Sequence, residues 1–571
     1  MKNILFILLL SFLASCSDQS SESDSKIDQE GGLSLDHKKE FTPDIVEVTD
    51  KVYAGVGYGL ANSIMIETSD GLVIVDTLGS EERASILLSE FRKISNKPVK
   101  AIIYTHNHLD HLGGATIFAG ESNPEIYAQE NILYNIDNIA TTIRPIIFAR
   151  SARQFGIPLN ENDIVHQGIG GFLEVNSEST LGILRPTITF RDELNIQIDD
   201  LKINLVHVPG ETDDHLYVWL PEQEVVMVGD NFYRSFANLY AIRGTKFRNP
   251  MDWVNSLDKI RKLKAKHMIP SHSRPLSGRE NIEEALRDYR DGIQFVHDQT
   301  IRYINKGLMP DEIASKVKLP PHLADSPYLQ EFYGSISSFV RSIFSGYIGW
   351  FSGNITELHP MDKYSKAKKL SALAENNIKI LDAAQDAINN REYQWAMELA
   401  DILITLDPED QIAKEIKAQA AENFSLTQTA SNDYYFYQTV AGELRGKFNI
   451  YDSSNKPTSE QVRSIPIKSI FKSLPVNLNA EKSLEIDKKI LFTFSDIDQL
   501  FRLHIRKGVV ELSFESLGDE ELIIKTDQQT LKEILAGLKN VATISLALAD
   551  NTIEVKGGKI EFLKMLSLFK S

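Results

Sequence analysis

Four side chains that commonly bind metal ions lie within six residues of this chain, directly after a hydrophobic segment. The apolar run 101–104 is followed by Thr105-His106-Asn107-His108-Leu109-Asp110-His111. A short apolar run that ends in a polar loop is typical of a buried β-strand. Two histidines two positions apart can face one metal ion, and the Asp-His pair after them can turn towards a second. The loop therefore indicates a dinuclear metal site at the end of a strand.

Further candidate ligands follow other predicted strands. Glu211 comes after a strand and a Pro-Gly turn, Asp230 follows a second strand, and His272 follows a third. We expect Glu211 to complete one metal site with the first two histidines, His272 to complete the other with the Asp-His pair, and Asp230 to bridge both. Asp76, which ends the strand 73–75, is a candidate for orienting a ligand histidine. The predicted ligands are His106, His108, Asp110, His111, Glu211, Asp230 and His272, with Asp110 and Asp230 as candidate catalytic residues.

The charge balance and the cysteine content argue against other classes of protein. The chain carries 79 Asp and Glu against 61 Lys and Arg, for a net charge of −18, which disfavours a nucleic acid as partner. Its single cysteine, Cys16, allows neither an intramolecular disulfide framework nor a Cys-rich zinc module. A metal ion would therefore be bound by histidine and carboxylate side chains.

That cysteine lies at the end of a predicted export signal. Lys2 provides a positive start, and the apolar run 4–12 is too short to span a bilayer as a mature helix. The sequence Leu13-Ala14-Ser15-Cys16 resembles the lipobox of bacterial lipoproteins. The resemblance implies a signal peptide over residues 1–15, a lipid on Cys16 and export, with the outer membrane as the expected site of the anchor. A polar tether over 16–40 would follow. The alternative is a plain secretory signal cleaved near the same residue.

Three regions of different character make up the rest of the chain. Residues 41–278 alternate strands with helices, which indicates two sheets with flanking helices. Residues 279–425 are almost entirely helical, and 376–420 contain a helix-turn-helix that resembles a tetratricopeptide unit. One such unit must pack on its own domain or on a second subunit. Residues 426–571 are again rich in strands and predict an α+β module, so the fold class is multidomain α/β.

The H-x-H-x-D-H loop resembles the metal-binding motif of the metallo-β-lactamase superfamily. Most members carry histidine directly after Pro-Gly, whereas this chain has Glu211, which resembles the linear alkyl sulfatases. The similarity to that family continues through Asn238-Leu239, Ile242-Arg243-Gly244 and the segment 346–354. It implies an αββα metallo-β-lactamase sandwich, then an all-α dimerisation domain, then an α+β sterol-carrier-like domain.

By the same resemblance, the chain would be a homodimeric hydrolase that uses two Zn²⁺ ions to cleave alkyl sulfate esters into an alcohol and inorganic sulfate. Such ions lower the pKa of water and stabilise negative charge on the leaving group. Asn238 and Arg243 fall on the family's sulfate-binding positions, and a guanidinium can bind two sulfate oxygens at once.

One departure from the family pattern keeps other functions open. A motif that reads Tyr-Gly-Ser-x-Ser-His in the family ends in Ser338 here, so a histidine proposed to contact sulfate or protonate the leaving group is missing. The first alternative is another dinuclear metallo-hydrolase that acts on a phosphate ester, a thioester or a lactam. The second is a non-catalytic lipoprotein that binds amphiphiles.

Overall fold

The computed structural model of this chain describes residues 32–173, 175, 179–450 and 458–569. The predicted signal peptide and Cys16 lie outside the described residues, so cleavage and lipidation stay predictions. Within the described ranges, no helix combines the length and the hydrophobicity that crossing a membrane requires.

Two β-sheets form the centre of the first region. The strands of the first sheet are β1 (Asp44–Thr49), β2 (Val52–Val56), β3 (Ser63–Glu67), β4 (Leu72–Val75), β5 (Val99–Ile103), β6 (Glu125–Gln129) and β7 (Ile188–Phe190). Those of the second are β8 (Glu193–Ile198), β9 (Leu201–His207), β10 (Leu216–Leu220), β11 (Val225–Gly229), β12 (His267–Pro270) and β13 (Leu276–Ser277). The first sheet follows chain order and is parallel from β4 to β7, and the second has the order β13-β12-β11-β10-β9-β8.

The two sheets pack face to face because their strands bury side chains on both faces. In β4, Val73 and Val75 face the second sheet, whereas Leu72 and Ile74 contact the helices outside the first sheet. The helices of this region are α1 (Leu35–Lys38), α2 (Glu81–Phe91), α3 (Leu109–Leu112), α4 (Ala115–Ala119), α5 (Asn131–Thr141), α6 (Arg144–Phe155) and α7 (Pro250–Lys262). With α2 and α4 outside one sheet and α7 outside the other, the predicted αββα sandwich is confirmed.

A helical region follows the sandwich and shares its core. Its helices are α8 (Arg279–Ile304), α9 (Pro310–Lys316), α10 (Pro321–Ala324), α11 (Ile336–Ile348), α12 (Ile355–Leu358), α13 (Lys363–Leu373), α14 (Asn377–Asn389), α15 (Tyr393–Leu406), α16 (Gln411–Ser425) and α17 (Ser431–Leu444). One continuous hydrophobic cluster joins Val226 of β11 and Trp253 of α7 to Tyr289 of α8 and Phe339 of α11. The outer face of the second sheet is therefore covered by helices from beyond residue 278.

The predicted helix-turn-helix packs on its own domain. Helices α14, α15 and α16 contact one another through small and aliphatic residues such as Ala384, Ala396 and Ala413. Helix α17 also belongs to this bundle, through Ala441. It contacts α6 of the sandwich as well, where Arg153 donates to both carboxylate oxygens of Glu443 at 2.6 and 3.0 Å.

The C-terminal region is an α+β unit, as the sequence predicts, although residues 431–444 form α17 of the helical bundle and are not part of this unit. Its elements are α18 (Ser459–Ser464), α19 (Ile467–Asn477), β14 (Asp487–Phe494), β15 (Leu500–Arg506), β16 (Val509–Ser513), β17 (Leu522–Thr526), α20 (Gln528–Leu535), α21 (Val541–Ala549), β18 (Glu554–Lys556) and α22 (Lys559–Ser567). The sheet order is β16-β15-β14-β17-β18, and its core packs on α19, α20, α21 and α22. Ser469 of α19 donates to Asp137 of α5 at 2.6 Å, so this unit contacts the sandwich. Its sterol-carrier-like character stays a prediction.

The first described residues pack on the sandwich. His37 is buried, donates a hydrogen bond from Nε2 to the carbonyl of Gly168 at 2.6 Å and stacks on Phe332. Glu40 accepts hydrogen bonds from the Arg234 side chain and from the backbone of Arg274, each at 2.8 Å. The last residues of the segment that the sequence assigns to the tether are therefore packed on the folded protein, because His37 and Glu40 have partners there.

Candidate metal centre and the cavities beside it

The strand ends of both sheets bring the candidate ligands to one place. The loop after β5 supplies His106 and His108, and the short helix α3 that follows it supplies Asp110 and His111. The loops after β9, β11 and β12 supply one each. A side chain at Gly113 or Gly114 would collide with backbone, since a Cβ there would lie 2.0 Å from the Gly79 carbonyl and 2.4 Å from that of Thr77. The two glycines thus let the ligand loop close against the loop after β4.

The ligand atoms lie close enough to share metal ions. Three groups each offer ligand atoms within 4.8 Å of one another: His106, His111 and Asp230; Asp110, His111 and His272; His108, Glu211 and Asp230. The seven predicted residues are all in these groups, and His111 and Asp230 are each in two of them. The groups differ from the expected division in one respect, since His106 lies with His111 and Asp230 instead of with His108 and Glu211. The structure therefore brings the whole predicted set together.

Hydrogen bonds behind the cluster fix which ring nitrogens face it. Asp76 accepts from the backbone and hydroxyl of Thr105, each at 2.8 Å, from Nδ1 of His111 at 2.7 Å and from Ser271 at 2.8 Å. Nδ1 of His272 donates to the carbonyl of Leu60 at 2.8 Å. With the proton on Nδ1, both histidines turn the lone pair of Nε2 towards the cluster, as metal ligation requires. Asp76 thereby has the orienting position that the sequence predicts.

His215 supports the bridging candidate. It is fully buried, and its Nε2 accepts a hydrogen bond from the backbone N–H of Asp230 at 2.9 Å. Burial and this hydrogen bond indicate that His215 supports a candidate ligand and is not part of a solvated turn.

The electrostatics of the cluster fit a cation. Burial lowers the pKa of His106 and His108 well below the usual range, which keeps both imidazoles neutral. Burial raises the pKa of Glu211 to about 7, against the opposing charge of Arg248. Buried atoms of three candidate ligands, Nε2 of His111, Oε2 of Glu211 and Oδ1 of Asp230, have no hydrogen-bond partner among the described residues. Unpaired buried polar atoms are costly, and a metal ion would satisfy them.

Arg248 is a member of this site that the sequence analysis missed. Its Nη1 donates to Oε1 of Glu211 and to the carbonyl of Asn238, each at 2.5 Å, and the residue is only 4% exposed. Arginine is seldom buried this fully without a partner. Because Arg248 precedes α7 in a polar loop, no local pattern distinguishes it from a surface arginine.

An apolar cavity of about 320 Å³ opens beside the candidate ligands. His108, Asp110, Glu211 and Asp230 form its polar end, together with Arg243. The remaining lining is dominated by aliphatic and aromatic side chains, including Leu60, Leu112, Ile136, Ile147, Phe148, Phe155, Ile169, Leu181 and Ile183. The cavity therefore offers a hydrophobic compartment that ends at the metal-ligand cluster.

A second, polar cavity of about 460 Å³ meets the first at the same residues. Both are lined by Asn107, His108, Ile147, Glu211 and Arg243. The polar cavity continues past Arg248 to Lys246 and Phe247, whose side chains are partly exposed. The cluster thus lies at the junction of two compartments, of which the second is lined by more polar and charged residues.

The predicted sulfate-binding residues lie at different depths. Arg243 lines both cavities, and its Nη2 is 3.3 Å from Nε2 of His108. Asn238 is fully buried and lines neither of these two cavities, although its side-chain amide has no hydrogen-bond partner among the described residues. Ser338 bonds to the hydroxyl of Ser335 at 3.1 Å and is also absent from both linings. The binding of sulfate by Asn238 and Arg243 stays a prediction.

Family models match three consecutive parts of the chain. The metallo-beta-lactamase superfamily matches residues 56–272, the alkyl sulfatase dimerisation family matches 309–447, and the alkyl sulfatase C-terminal family matches 455–571. Metal binding follows from the first of these, together with the candidate His and carboxylate groups.

Whole proteins and a solved structure resemble the chain over most of its length. A linear primary-alkylsulfatase from a Pseudomonas species is 37% identical over 521 residues, which cover 88% of this chain and 98% of the relative. An alkyl/aryl-sulfatase of Saccharomyces cerevisiae is 27% identical over 92% of this chain and 82% of its own length. The structure of a stereoselective inverting sec-alkylsulfatase from Pseudomonas has a TM-score of 0.85 at 26% identity, covering 93% of this chain and 85% of that one.

Proposed function

Since the chain belongs to the alkyl sulfatase family of the metallo-beta-lactamase superfamily and is a sulfuric ester hydrolase, we propose that it cleaves alkyl sulfates at a pair of zinc ions. The products are an alcohol and inorganic sulfate. The observation that carries this proposal is the apolar cavity that ends at the ligand cluster. An alkyl sulfate is divided in the same way as this cavity, because an apolar chain is attached to an anionic head group.

The donor set supports zinc as the metal. Imidazole and carboxylate ligands suit Zn²⁺, and the chain offers four histidines and three carboxylates here. His106, His108 and Glu211 would hold one ion, and Asp110, His111 and His272 the other, with Asp230 between them. When bound, the pair supplies the Lewis acidity that activates water and stabilises charge on the departing oxygen.

The residues of the chain orient the substrate around that centre. Arg243 lies between the two cavities and presents a guanidinium to an anionic head group. The aliphatic wall excludes water from the alkyl chain, and its contacts contribute about 0.8 kcal/mol per buried methylene. Asp110 and Asp230 would stay ionised as ligands, because bound cations favour the charged form of a carboxylate.

Assembly and location complete the proposal. The match to an alkyl sulfatase dimerisation family supports a homodimer formed through the helical region. The lipobox-like sequence supports an exported lipoprotein with its anchor on Cys16, placed in the outer membrane. Gel filtration and mass analysis of the mature N-terminus would test these two points.

One experiment tests the reaction directly. The purified protein is analysed for metal and then assayed for sulfate release from decyl sulfate and 4-nitrophenyl sulfate, and for turnover of a phosphodiester. We expect about two zinc ions per chain and sulfate release that falls strongly in Arg243→Ala. Dominant phosphodiester turnover that does not depend on Arg243 would instead support the alternative hydrolase. Binding of decyl sulfate without any turnover by the zinc-loaded protein would support the amphiphile-binding alternative.

A further inference from the structure

Ser273, the residue directly after the candidate ligand His272, has an unusual backbone conformation. Its φ is +77°, in the left-handed region that residues other than glycine seldom adopt, and only 3% of its surface is exposed. Such a conformation persists only where the surrounding structure holds it, and it is found mostly at functional sites. The groups that hold Ser273 therefore also influence the position of His272.

Three hydrogen bonds from three different segments hold this turn. The carbonyl of Ser273 accepts one from Nδ2 of Asn62 at 2.7 Å, and its Oγ accepts one from the backbone N–H of Arg234 at 2.9 Å. The next backbone N–H, that of Arg274, donates to Oε1 of Glu40 at 2.8 Å. Asn62 and Arg234 belong to the sandwich, whereas Glu40 comes from the segment before β1. The third hydrogen bond is thus supplied from outside the two sheets.

Glu40 connects the two loops that carry Asp230 and His272. Its second oxygen, Oε2, accepts a hydrogen bond from Nη1 of Arg234 at 2.8 Å. Arg234 follows Asp230 in the loop after β11, and Arg274 follows His272 in the loop after β12. In front of these contacts, Oδ2 of Asp230 lies 3.1 Å from Nε2 of His272. Because the side chain of Glu40 is only 10% exposed, water has little access to its hydrogen bonds.

The segment 34–43, which we call the N-terminal strap, is fixed to the sandwich on both sides of Glu40. His37, three residues before Glu40, is buried. Two residues after Glu40, the carbonyl of Thr42 accepts a hydrogen bond from Nη2 of Arg274 at 3.0 Å. The strap therefore holds the carboxylate of Glu40 against the two ligand loops.

We propose that Glu40 is a positioning residue of the metal centre, and that the N-terminal strap sets the spacing of Asp230 and His272. The strap lies before residue 56, where the match to the metallo-beta-lactamase superfamily begins. Glu40 is in none of the three ligand groups and lines neither cavity, so it acts through the residues that follow the two ligands. This inference rests on the proposed function, because it requires metal ions at these ligands.

The test compares the metal affinity of variants by competition with a zinc chelator. Glu40→Gln keeps the size of the side chain but replaces one accepting oxygen by an amide donor, so one of the two loops loses its hydrogen bond. We expect the affinity for zinc to fall about tenfold, as for other residues that support a metal ligand. At saturating zinc, kcat for decyl sulfate should fall while KM stays unchanged, because the strap lines neither cavity.

A second measurement needs no metal. In the metal-free protein, hydrogen exchange of the peptide that contains Arg274 should be faster in Glu40→Gln, because the backbone N–H of Arg274 has lost its acceptor. Asp36→Asn is the matched control, since Asp36 lies on the same strap, pairs only with Lys39 at 2.7 Å among the described residues, and is 90% exposed. It should leave zinc affinity and exchange unchanged.

A rescue variant separates positioning from general stability. Glycine adopts the left-handed region without steric cost, so Ser273→Gly makes the turn less dependent on Glu40. The double variant Glu40→Gln/Ser273→Gly should therefore recover most of the lost zinc affinity. Ser273→Gly alone is measured beside it, because it also removes the Oγ that accepts from Arg234. If Glu40→Gln does not fold, Glu40→Asp, which keeps the charge and shortens the reach, decides the result.

Equal zinc affinity in Glu40→Gln, Asp36→Asn and the wild type would overturn the proposal. Unchanged exchange at Arg274 in Glu40→Gln, or a double variant that binds zinc no better than Glu40→Gln, would overturn it as well. A protein whose zinc affinity depends on Glu40, but which releases no sulfate from any alkyl ester, would refute the proposed function and support the positioning role.

Discussion

The metal-ligand cluster and the apolar cavity share a wall but are stabilised in opposite ways. In the cluster, each ligand is buried or nearly so, and residues such as Asp76 hold it by directed hydrogen bonds. In the cavity, side chains such as Ile183 and Phe148 are half-buried and are held by dispersion and by exclusion of water. Directed hydrogen bonds fail abruptly when one partner is removed, whereas apolar contact changes in proportion to the area lost. Substitutions in the cluster should therefore have abrupt, large effects, whereas substitutions in the cavity should have graded, smaller ones.

The largest effect is expected from removal of Asp230, the candidate bridging carboxylate. Asp230→Ala takes one ligand from two of the three candidate groups and leaves the surrounding histidines without their counter-charge. Loss of a residue that merely supports a ligand costs 10–100-fold, so loss of this ligand should lower kcat/KM by at least about 10³-fold. Metal analysis measures the loss of bound metal, and sulfate release measures the loss of activity. Asp192→Ala, an exposed carboxylate, is the matched control; undiminished activity of Asp230→Ala without bound metal would contradict the dinuclear mechanism.

An intermediate effect is expected behind the cluster. Asp76→Asn replaces an oxygen that accepts hydrogen bonds by an amide donor, which faces the donors of Thr105, His111 and Ser271. Metal affinity should fall by about 10–100-fold, with the fold retained. Competition with a zinc chelator measures the affinity, and circular dichroism checks the fold. Asp258→Asn, a partly buried carboxylate that pairs with Arg261 on α7, should leave zinc binding unchanged. Equal zinc affinity in both variants would show that orientation of His111 contributes little.

The smallest effect, and a graded one, is expected in the apolar cavity. If the alkyl chain occupies it, each added methylene should lower KM about fourfold until the cavity is full. Ile183→Phe fills part of that volume and should raise KM for the longest substrates about tenfold, with kcat for short substrates unchanged. A series from hexyl to dodecyl sulfate measures the change. Ile146 lies on α6 with 46% of its surface exposed, and Ile146→Phe serves as the control. A shift shared by all chain lengths would place the alkyl chain elsewhere.

The sequence predicts the cluster better than the compartments around it. The segment 105–111 carries four candidate ligands in one contiguous stretch, and the other three each follow a strand, so strand pattern and residue type suffice. Arg248 could not be found this way, because its burial depends on contacts with Glu211 and Asn238 that no local pattern records. The cavity wall also combines distant residues such as Leu60, Phe155 and Ile183. Their common surface arises only when the chain has folded.

The division of the chain into regions shows the same limit. The sequence changes character at residue 279, and the structure does begin a long helix there. Yet Tyr289 of α8 and Phe339 of α11 pack into the same hydrophobic cluster as Val226 of β11. A change in local pattern marks where helices begin. It does not report which sheet those helices cover.

The hydrophobic cluster shared by the sandwich and the helical region determines how the protein unfolds and where it can be truncated. Because the outer face of the second sheet has α8 and α11 as its cover, the sandwich and the helical region form one cooperative folding unit. Calorimetry should register them in a single transition. A fragment that ends near residue 278 would expose Val226, Trp253 and their neighbours to water and aggregate. The sandwich consequently cannot be used as an independent domain. Any shortened or chimeric version of the chain must keep helices α8 and α11.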